Sequence, residues 1–420
     1  MKKYIIGGYV RDALRGAKSN DKDFVVVGSS IDEMLSLGYK QVGNNFPVFL
    51  HPYTNDEYAL ARTERKTGDK HTDFTFNFSP DVTLYEDCLR RDFTCNAVAK
   101  DVETGEIIDY FNGQQDIRDK VIRIIDEQNF KLDPLRILRA YRFAAVLDFT
   151  IEPQTKEILR KMVDDGMLKH LTPERVWLET KKALQPNANS ARFFEGLAEI
   201  GGLHDWFPEI EALVDTPEIK KYHSSENTFK HVMCALTRVQ NEEDLIKWSV
   251  LTHDLGKGNT PSDILPHHNN HDQRGLELIN RLCNRLKISN EYRSFSLLFC
   301  REHMRICRFQ DMKISKQYDL IREISDNFRN RKRLDMFLKC FYADYYGEWV
   351  LNEYCSDTQF KHICDAVNKV YNIMENITLK DLPEDYQTSL EKKSGEKFGI
   401  AYREYMIKYL NSEITKSKIL

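Results

Sequence analysis

Asp21 and Asp23 stand two residues apart at the mouth of the β-branched run Phe24-Val25-Val26-Val27. Along a strand, residues i and i+2 project from one face, so the two carboxylates lie side by side and repel each other unless a cation sits between them. Hard oxygen ligands of this kind suit Mg²⁺, which binds through one or two carboxylates, water and substrate phosphates. Just upstream, Gly7-Gly8 and Arg11 lie between the apolar run Tyr4-Ile5-Ile6 and a short helix carrying Val10 and Leu14. Glycines let backbone N–H groups approach an anion, a helix N-terminus adds positive potential, and Arg11 adds a full charge. Taken singly, a Gly-Gly pair is usually a turn and Asp-x-Asp a solvated strand end. In this order and spacing they form a phosphate cradle beside a metal holder, which is a place for nucleotide chemistry.

A second chemical signal is Asp133-Pro134-Leu135-Arg136-Ile137-Leu138-Arg139. Cytosine and adenine present an exocyclic amine beside a ring-nitrogen acceptor, whereas guanine and uracil present a carbonyl beside a ring N–H. A carboxylate accepts from the amine and a guanidinium donates to the ring nitrogen, so Asp133 and Arg136, one turn apart, could select C and A. The bland alternative is a capping Asp with flanking ion pairs. A third signal is the histidine group His231, His253-Asp254, His267-His268, His271 and His303, six of the chain's twelve histidines. Adjacent His-Asp after an apolar run, with more histidines at a distance, is a metal-ligand pattern. Past about residue 310 no catalytic constellation stands out. Tyr342-Ala343-Asp344-Tyr345-Tyr346 and the lysine-bearing end read as core helices with solvated faces, or as a surface that tracks an RNA backbone.

The elements that must position these groups follow from period and punctuation. Ser30-Ile31-Asp32-Glu33 predicts a capped helix to about Leu37, and Thr83-Leu84-Tyr85-Glu86 another. Tyr58–Arg62 and Phe74–Phe78 alternate as strands, joined by a polar, basic loop from Arg62 to His71, with Ile107-Ile108 and Val121–Ile124 as further strands. From Asp133 the period is helical: Asp133 caps a long helix with Pro134 at its first position, Thr172 caps a helix to Leu184, and Ser190 caps one ending at Gly201-Gly202.

Bulk properties set the class. The 420 residues exceed one ordinary domain, and 41% hydrophobic with 30% charged content is that of a soluble globular protein. No apolar run reaches membrane-spanning length and no signal-peptide core opens the chain, so the expected location is cytoplasmic. Nine scattered cysteines without a Cys-x-x-Cys pair read as reduced thiols. A net charge of −4 does not exclude a nucleic-acid partner, which needs only a local basic surface.

Taken together, Gly-Gly-x-x-Arg-Asp at 7–12, Asp-x-Asp at 21–23, Ala-Arg-Thr-Glu-Arg-Lys at 61–66, Arg-Arg-Asp-Phe-Thr-x-Asn-Ala at 90–97, Asp-Pro-Leu-Arg-Ile-Leu-Arg at 133–139, Thr-Pro-Glu-Arg-Val-Trp at 172–177 and His-Asp-Leu-Gly-Lys-Gly at 253–258 resemble the bacterial class II CCA-adding tRNA nucleotidyltransferases, in the subgroup with an HD domain. The resemblance spans nearly the whole chain. It implies an α+β head of the polymerase-β-like type, with a mixed sheet and helices, followed by an all-α neck, an HD-type body and a tail. The expected segments are a catalytic head at 1–130, a neck with the base-selecting helix at 131–205, an HD-like domain at 206–330 and a tail at 331–420 that contacts tRNA. The implied activity is addition and repair of the tRNA 3′-terminal CCA from CTP and ATP with release of pyrophosphate. Asp21 and Asp23 would then be catalytic and hold Mg²⁺. Gly8, Arg11 and Arg91 would meet the nucleotide, and Asp133, Arg136 and Arg139 would read its base. His231, His253 and Asp254 are the expected ligands of an HD site that takes Ni²⁺ or Mn²⁺.

The implied partners are the tRNA 3′ end and acceptor stem, ATP and CTP, with no membrane, in a monomer or homodimer. Two positions depart from the family pattern. Leu132 replaces a frequent Glu, with little expected effect, and Met304 follows His303 where HD-active relatives carry Asp. A thioether is a poor ligand for a hard cation, so weak or absent phosphohydrolase activity is expected. The rival readings are a poly(A) polymerase of the same superfamily, an HD-type 2′,3′-cyclic phosphodiesterase or phosphatase as the main activity, and a silent RNA-binding protein.

Overall fold

The strand β1 (Lys2–Ile6) buries Tyr4 and Ile6, and β2 (Asp23–Val27) buries Phe24, Val25 and Val26. A strand apolar on both faces belongs inside a sheet covered on both sides. It does so here: Val25 joins Tyr4, Ile6, Cys88 and Ala97 in one core, while Phe24 and Val26 join Met34, Phe49, Tyr58 and Leu60 in another. The computed structural model describes all residues except 20, 43–46, 67–73, 219–225, 348–355, 392 and 420. It divides into two compact units, residues 1–183 with 187–206, and residues 184–186 with 207–420.

The first unit holds a seven-stranded sheet in the order β3-β4-β5-β2-β1-β8-β9, with β3 at Lys40–Val42, β4 at Val48–Leu50, β5 at Glu57–Leu60, β8 at Ala99–Asp101 and β9 at Ile107–Ile108. Only β2 and β5 pair in parallel, so the sheet is mixed. The helices α1 (Gly8–Leu14), α2 (Ile31–Ser36), α3 (Leu84–Leu89) and α4 (Gly113–Asp119) accompany it, with Ser30 capping α2 and a full capping box at Thr83. The short α5 (Glu127–Phe130) precedes α6 (Leu135–Leu147), which buries Leu135, Ile137, Leu138, Ala140 and Tyr141 against α8 (Pro173–Ala183) and α9 (Ser190–Glu199), with α7 (Pro153–Asp164) between them in the chain.

Three local expectations need correction. The loop expected from Arg62 begins instead as a strand, β6 (Thr63–Lys66), which pairs with β7 (Phe74–Asn77) in a separate ribbon; residues 67–73 of that loop lie outside the described residues. The run at Val121 does not finish the main sheet. As β10 (Val121–Ile122) it pairs in parallel with β11 (Thr150–Ile151), which interrupts the helical half of this unit. Ser190 is not the cap of α9: Asn189 accepts from Arg192 N, and the Ser190 hydroxyl donates to Ala183 O.

The second unit is helical throughout its described residues. Its elements are α10 (Pro208–Glu211), α11 (Thr228–Arg238), α12 (Asp244–Thr252), α13 (His271–Arg285), α14 (Asn290–Ile306), α15 (Ile314–Ile324), α16 (Arg331–Tyr345), α17 (Asp357–Met374), α18 (Glu384–Glu391) and α19 (Gly395–Ile419), with short 3₁₀ turns between. Helices α11, α12, α14 and α16 pack on one another, and α13 packs on α14. Trp248, Phe299, Phe309 and Phe337 fill this core completely, each contributing about 2 to 3 kcal/mol of burial.

Candidate functional site

The phosphate cradle is set by the register of β1 and β2. Asp23 pairs with Ile6, so its side chain arrives beside Gly7 at the turn into α1. Gly7 has φ +82°, and a Cβ there would stand 3.6 Å from Arg91 Nη1 and 3.8 Å from Asp23 Oδ2. Those distances are ordinary contacts, so it is the positive φ that calls for glycine here. A cavity of about 530 Å³ brings together Gly7, Gly8, Arg11, Asp21, Asp23, Arg91, Asp133, Arg136 and Arg139, so every head residue expected from the sequence faces one space. Arg90, Asp92, Asn96, Arg142, Arg175 and Lys182 also line it.

Asp21 and Asp23 are open to solvent at this rim. The Asp23 carboxyl is nevertheless pushed above its ordinary range, first because surrounding protein displaces water and then because Asp21 repels its charge; Arg91 partly opposes this. A cation between the two would remove that penalty, so the pair fits Mg²⁺. Arg11 is fixed by Asn96 Oδ1 at 2.7 Å and by Asp12 at 3.0 Å. Asn96 in turn donates to Asp92 Oδ1 at 3.0 Å, and Asp92 Oδ2 takes two bonds from Arg139, at 2.8 and 2.5 Å. Burial alone would raise the Asp92 carboxyl, yet the Arg139 and Arg136 charges hold it far below the usual range. Arg142 donates to Glu179 at 2.5 Å, and both are buried.

The expected base-reading pair occupies the same cavity in a pre-engaged form. Asp133 Oδ1 accepts from Leu135 N at 3.1 Å and Oδ2 from Arg175 at 2.8 Å. The expected cap is displaced by one residue: Pro134, not Asp133, is the N-cap of α6, and Asp133 reaches only the first helical N–H from outside; a carboxylate has about four acceptor directions, so these two bonds do not exhaust it. Arg136 donates to Asn129 O at 2.9 Å and Arg90 O at 2.6 Å, which fixes the plane of its fork.

The second unit gathers a different set. His231 lies on α11, His253 ends α12, Asp254 follows it, His271 opens α13, His303 lies on α14 and Asp344 on α16. His231, His253 and Asp254 form one triad, and Asp254, His271 and His303 another, with the ligand atoms of each triad within 4.8 Å of one another. The two triads use opposite oxygens of Asp254. His253 Nε2 is 3.3 Å from Oδ2, and His271 Nε2 is 3.3 Å from Oδ1. Asp344 Oδ1 stands 3.2 Å from both His231 Nε2 and His253 Nε2. His253, His271 and His303 place Nδ1 at 2.7, 2.9 and 2.7 Å from the carbonyl oxygens of Val250, His268 and Cys300. Those carbonyls require Nδ1 to carry a proton, which turns each Nε2 inward, where His271 Nε2 and His303 Nε2 stand 3.0 Å apart, and a metal would take the place of the protons shared there.

Burial completes the fit. His253 Nε2 and Asp254 Oδ1 have no hydrogen-bond partner although both residues are buried. Burial opposes charge on His253, but Asp254 and Asp344 overcome it and raise its pKa to about 10, whereas burial and the nearby His253 lower His303 to about 4. Two carboxylates in a dry space thus recruit a proton, and a divalent cation would replace it. Lys257 lies 3.0 Å from Asp254 and donates to Glu218 at 2.9 Å. Gly256 permits the arrangement: a Cβ there would meet His271 O at 1.9 Å, so only a hydrogen lets α13 come close enough to deliver His271.

Two family models match the N-terminal half of the chain, one described as the poly A polymerase head domain over residues 3–123 and one as a probable RNA and SrmB-binding site of polymerase A over residues 148–213. A multifunctional CCA protein of Thioalkalivibrio sulfidiphilus is 44% identical over 352 residues, covering 83% of this chain and 85% of that one. The chain belongs to the multifunctional CCA protein family. A second member, from Paraburkholderia phymatum, is 42% identical over 355 residues, covering 83% of this chain and 84% of its own. The fold is that of solved CCA-adding enzymes. The Thermotoga maritima enzyme complexed with tRNA has a TM-score of 0.64 at 21% identity, with 98% of this chain and 87% of that one covered. The Bacillus stearothermophilus enzyme in complex with CTP has a TM-score of 0.63 at 21% identity, covering 100% and 95%.

In this CCA family member the structure corrects two readings. Residues beyond 310 do contribute to a chemical cluster, because α16 packs on α11 and α12 and carries Asp344 inward, although the boundary expected near 330 assigns it to the tail. Met304 is 42% exposed, and the carboxylate that stands beside His231 and His253 comes instead from Asp344, a residue the sequence did not single out as a ligand. His268 is not a ligand; it sits 2.8 Å from both Thr260 Oγ1 and Pro217 O. Around the head cavity, Asp92, Asn96, Arg175 and Glu179 are not legible in the sequence, because their signal is a network of bonds across distant positions, not a local spacing.

Proposed function

We propose that the head adds C, C and A to the 3′ end of tRNA, using CTP and ATP with Mg²⁺. The carrying observation is that one cavity joins Asp21 and Asp23 to Arg11 and Arg91 at one end and to Asp133 and Arg136 at the other. Mg²⁺, when held by Asp21 and Asp23, would neutralise charge on the transferring phosphate. Gly8, Arg11 and Arg91 bind and orient the triphosphate, while Asp133 and Arg136 match the amine and ring nitrogen of C or A, and Arg139 assists them from the next turn of α6 while its bonds to Asp92 reach through Asn96 to Arg11. The tRNA 3′-oxygen bonds to the α-phosphorus, the bond from that phosphorus to its bridging oxygen breaks, and pyrophosphate leaves. Catalysis is then mostly positioning and electrostatics. Incubation of tRNA lacking its CCA end with CTP alone should add about two residues, completed by one A when ATP follows, because base choice rests on Asp133 and Arg136. Long A tails would instead support the poly(A) polymerase reading.

A second activity is favoured by the buried Asp254 cluster with its unpartnered ligand atoms. We infer a metal-dependent phosphohydrolase in the second unit, supplied with Ni²⁺ or Mn²⁺. His231, His253, Asp254 and Asp344 would hold one ion, and His271 and His303 would join Asp254 toward another. Bound metal would supply an activated water and charge neutralisation; Lys257 provides a fixed positive charge beside the phosphate. Hydrolysis of 2′,3′-cyclic nucleotides with either ion, lost in His253→Ala, is the result this reading requires.

A further inference from the structure

The cavity over the metal cluster has about 740 Å³ and two chemically different ends. Its floor is Asp254, His271, His303, Asp344 and Lys257. Its other end is built by one stretch of chain, the end of α14 and the turn after it, which presents Met304, Arg305, Arg308 and Met312. Arg305 is committed to Glu302 at 2.5 Å. Arg308 is exposed and makes no hydrogen bond or ion pair through its side chain among the described residues. A basic residue at a helix C-terminus complements the macrodipole, and that accounts for Arg305. Arg308 follows the helix and its cap, and it brings an uncommitted planar donor fork to a cavity whose floor is the histidine and aspartate cluster. Met304 is 42% exposed and with Met312 gives the cavity a deformable apolar wall.

We propose that Arg308 is a second phosphate-binding residue of this cavity, holding the phosphodiester that precedes the scissile phosphate, with Met304 and Met312 against the terminal base. The preferred substrate is then the phosphorylated 3′ end of a polynucleotide strand, in preference to a free mononucleotide. This rests on the phosphohydrolase reading of the same site. In the reaction a water oxygen bonds to phosphorus, one phosphorus–ester oxygen bond of the terminal group breaks, and the water proton passes to the leaving oxygen.

The test compares a trinucleotide ending in a 2′,3′-cyclic phosphate with adenosine 2′,3′-cyclic phosphate, both with Mn²⁺ and the full-length protein. Arg308→Gln should raise KM for the trinucleotide about tenfold or more, as expected for one charge-assisted bond, with a far smaller rise for the mononucleotide. Arg308→Lys should restore most of the loss. Binding of an uncleavable trinucleotide 3′-phosphorothioate, followed by fluorescence anisotropy, should weaken by the same factor. Equal effects on both substrates, or none, overturn the role of Arg308 while leaving the hydrolase in place. No hydrolysis of either substrate by the unaltered protein overturns both.

Discussion

The two candidate sites solve the metal problem in opposite ways. In the head, Asp21 and Asp23 are open to solvent and offer few ligands, so a cation there is completed by water and by the substrate's own phosphates. In the second unit, four histidines and two aspartates from five helices and a turn converge on one another at the floor of a cavity, so a cation held there would take most of its ligands from the folded protein. A transferase whose product leaves as pyrophosphate gains from a metal that exchanges with substrate. A site that must activate water gains from one that stays.

That contrast can be broken most sharply by removing one ligand from each side. Asp21→Ala should reduce CCA addition by at least about a thousandfold, the scale of losing the charge stabilisation on which the transfer depends, while hydrolysis with Mn²⁺ continues; His253→Ala should do the reverse. Loss of both activities in either variant would mean the sites are not independent. Next in size is Asp344→Ala. It should weaken metal retention about a hundredfold, measured as metal per chain after dialysis against a graded chelator, because breaking a buried charge set costs about 3 kcal/mol or more. Full retention would remove Asp344 from the ligand set. Chelator treatment of the unaltered protein should also separate the two sites. Addition should return at once with Mg²⁺, while hydrolysis should need Ni²⁺ or Mn²⁺.

Smaller effects sharpen the head. Arg136→Lys should lower the preference for CTP and ATP over UTP and GTP by about ten- to a hundredfold, since lysine is a point charge without the fork that Asn129 O and Arg90 O hold in plane; unchanged selectivity would move base choice elsewhere. The smallest expected change is in stability. Asp87 is fully buried; burial opposes its charge, but Arg90 and Arg91 prevail and hold its pKa at about 2, below the ordinary 3.8. Its contribution is therefore complete above pH 4 and disappears as pH falls toward 2. Asp87→Asn should cost about 2 kcal/mol at pH 7 in denaturant melts, with the gap to the unaltered protein closing through that acid window.

How much of this was readable beforehand tracks the distance over which the chemistry is assembled. Gly7, Gly8, Arg11, Asp21 and Asp23 are local, and strand and turn geometry places them without tertiary help. The α+β head and the switch to helices near residue 130 are periodic signals of the same kind. Asp344 was hidden because its neighbours Tyr342, Tyr345 and Tyr346 announce a packed helix, and nothing local marks one aspartate among them as turned toward His253. The parallel pairing of β10 with β11 was hidden for a similar reason: two-residue strands joined across α5 and α6 leave no alternation to read. Asp133 and Arg136 were readable from the match of a carboxylate and a guanidinium to the edges of C and A, and the resemblance to the family supplied Arg91; none of these readings gave their present partners, which are contacts that only folding creates.

The close approach at Gly256 makes the histidine cluster sensitive to a position that carries no ligand. Every histidine and aspartate of the cluster can stay in the chain while a single added methyl at residue 256 meets His271 O and pushes α13, and His271 with it, out of place. A His-Asp pair is therefore not by itself the mark of a working cluster in this fold; the glycine two residues after that aspartate has to be read with it.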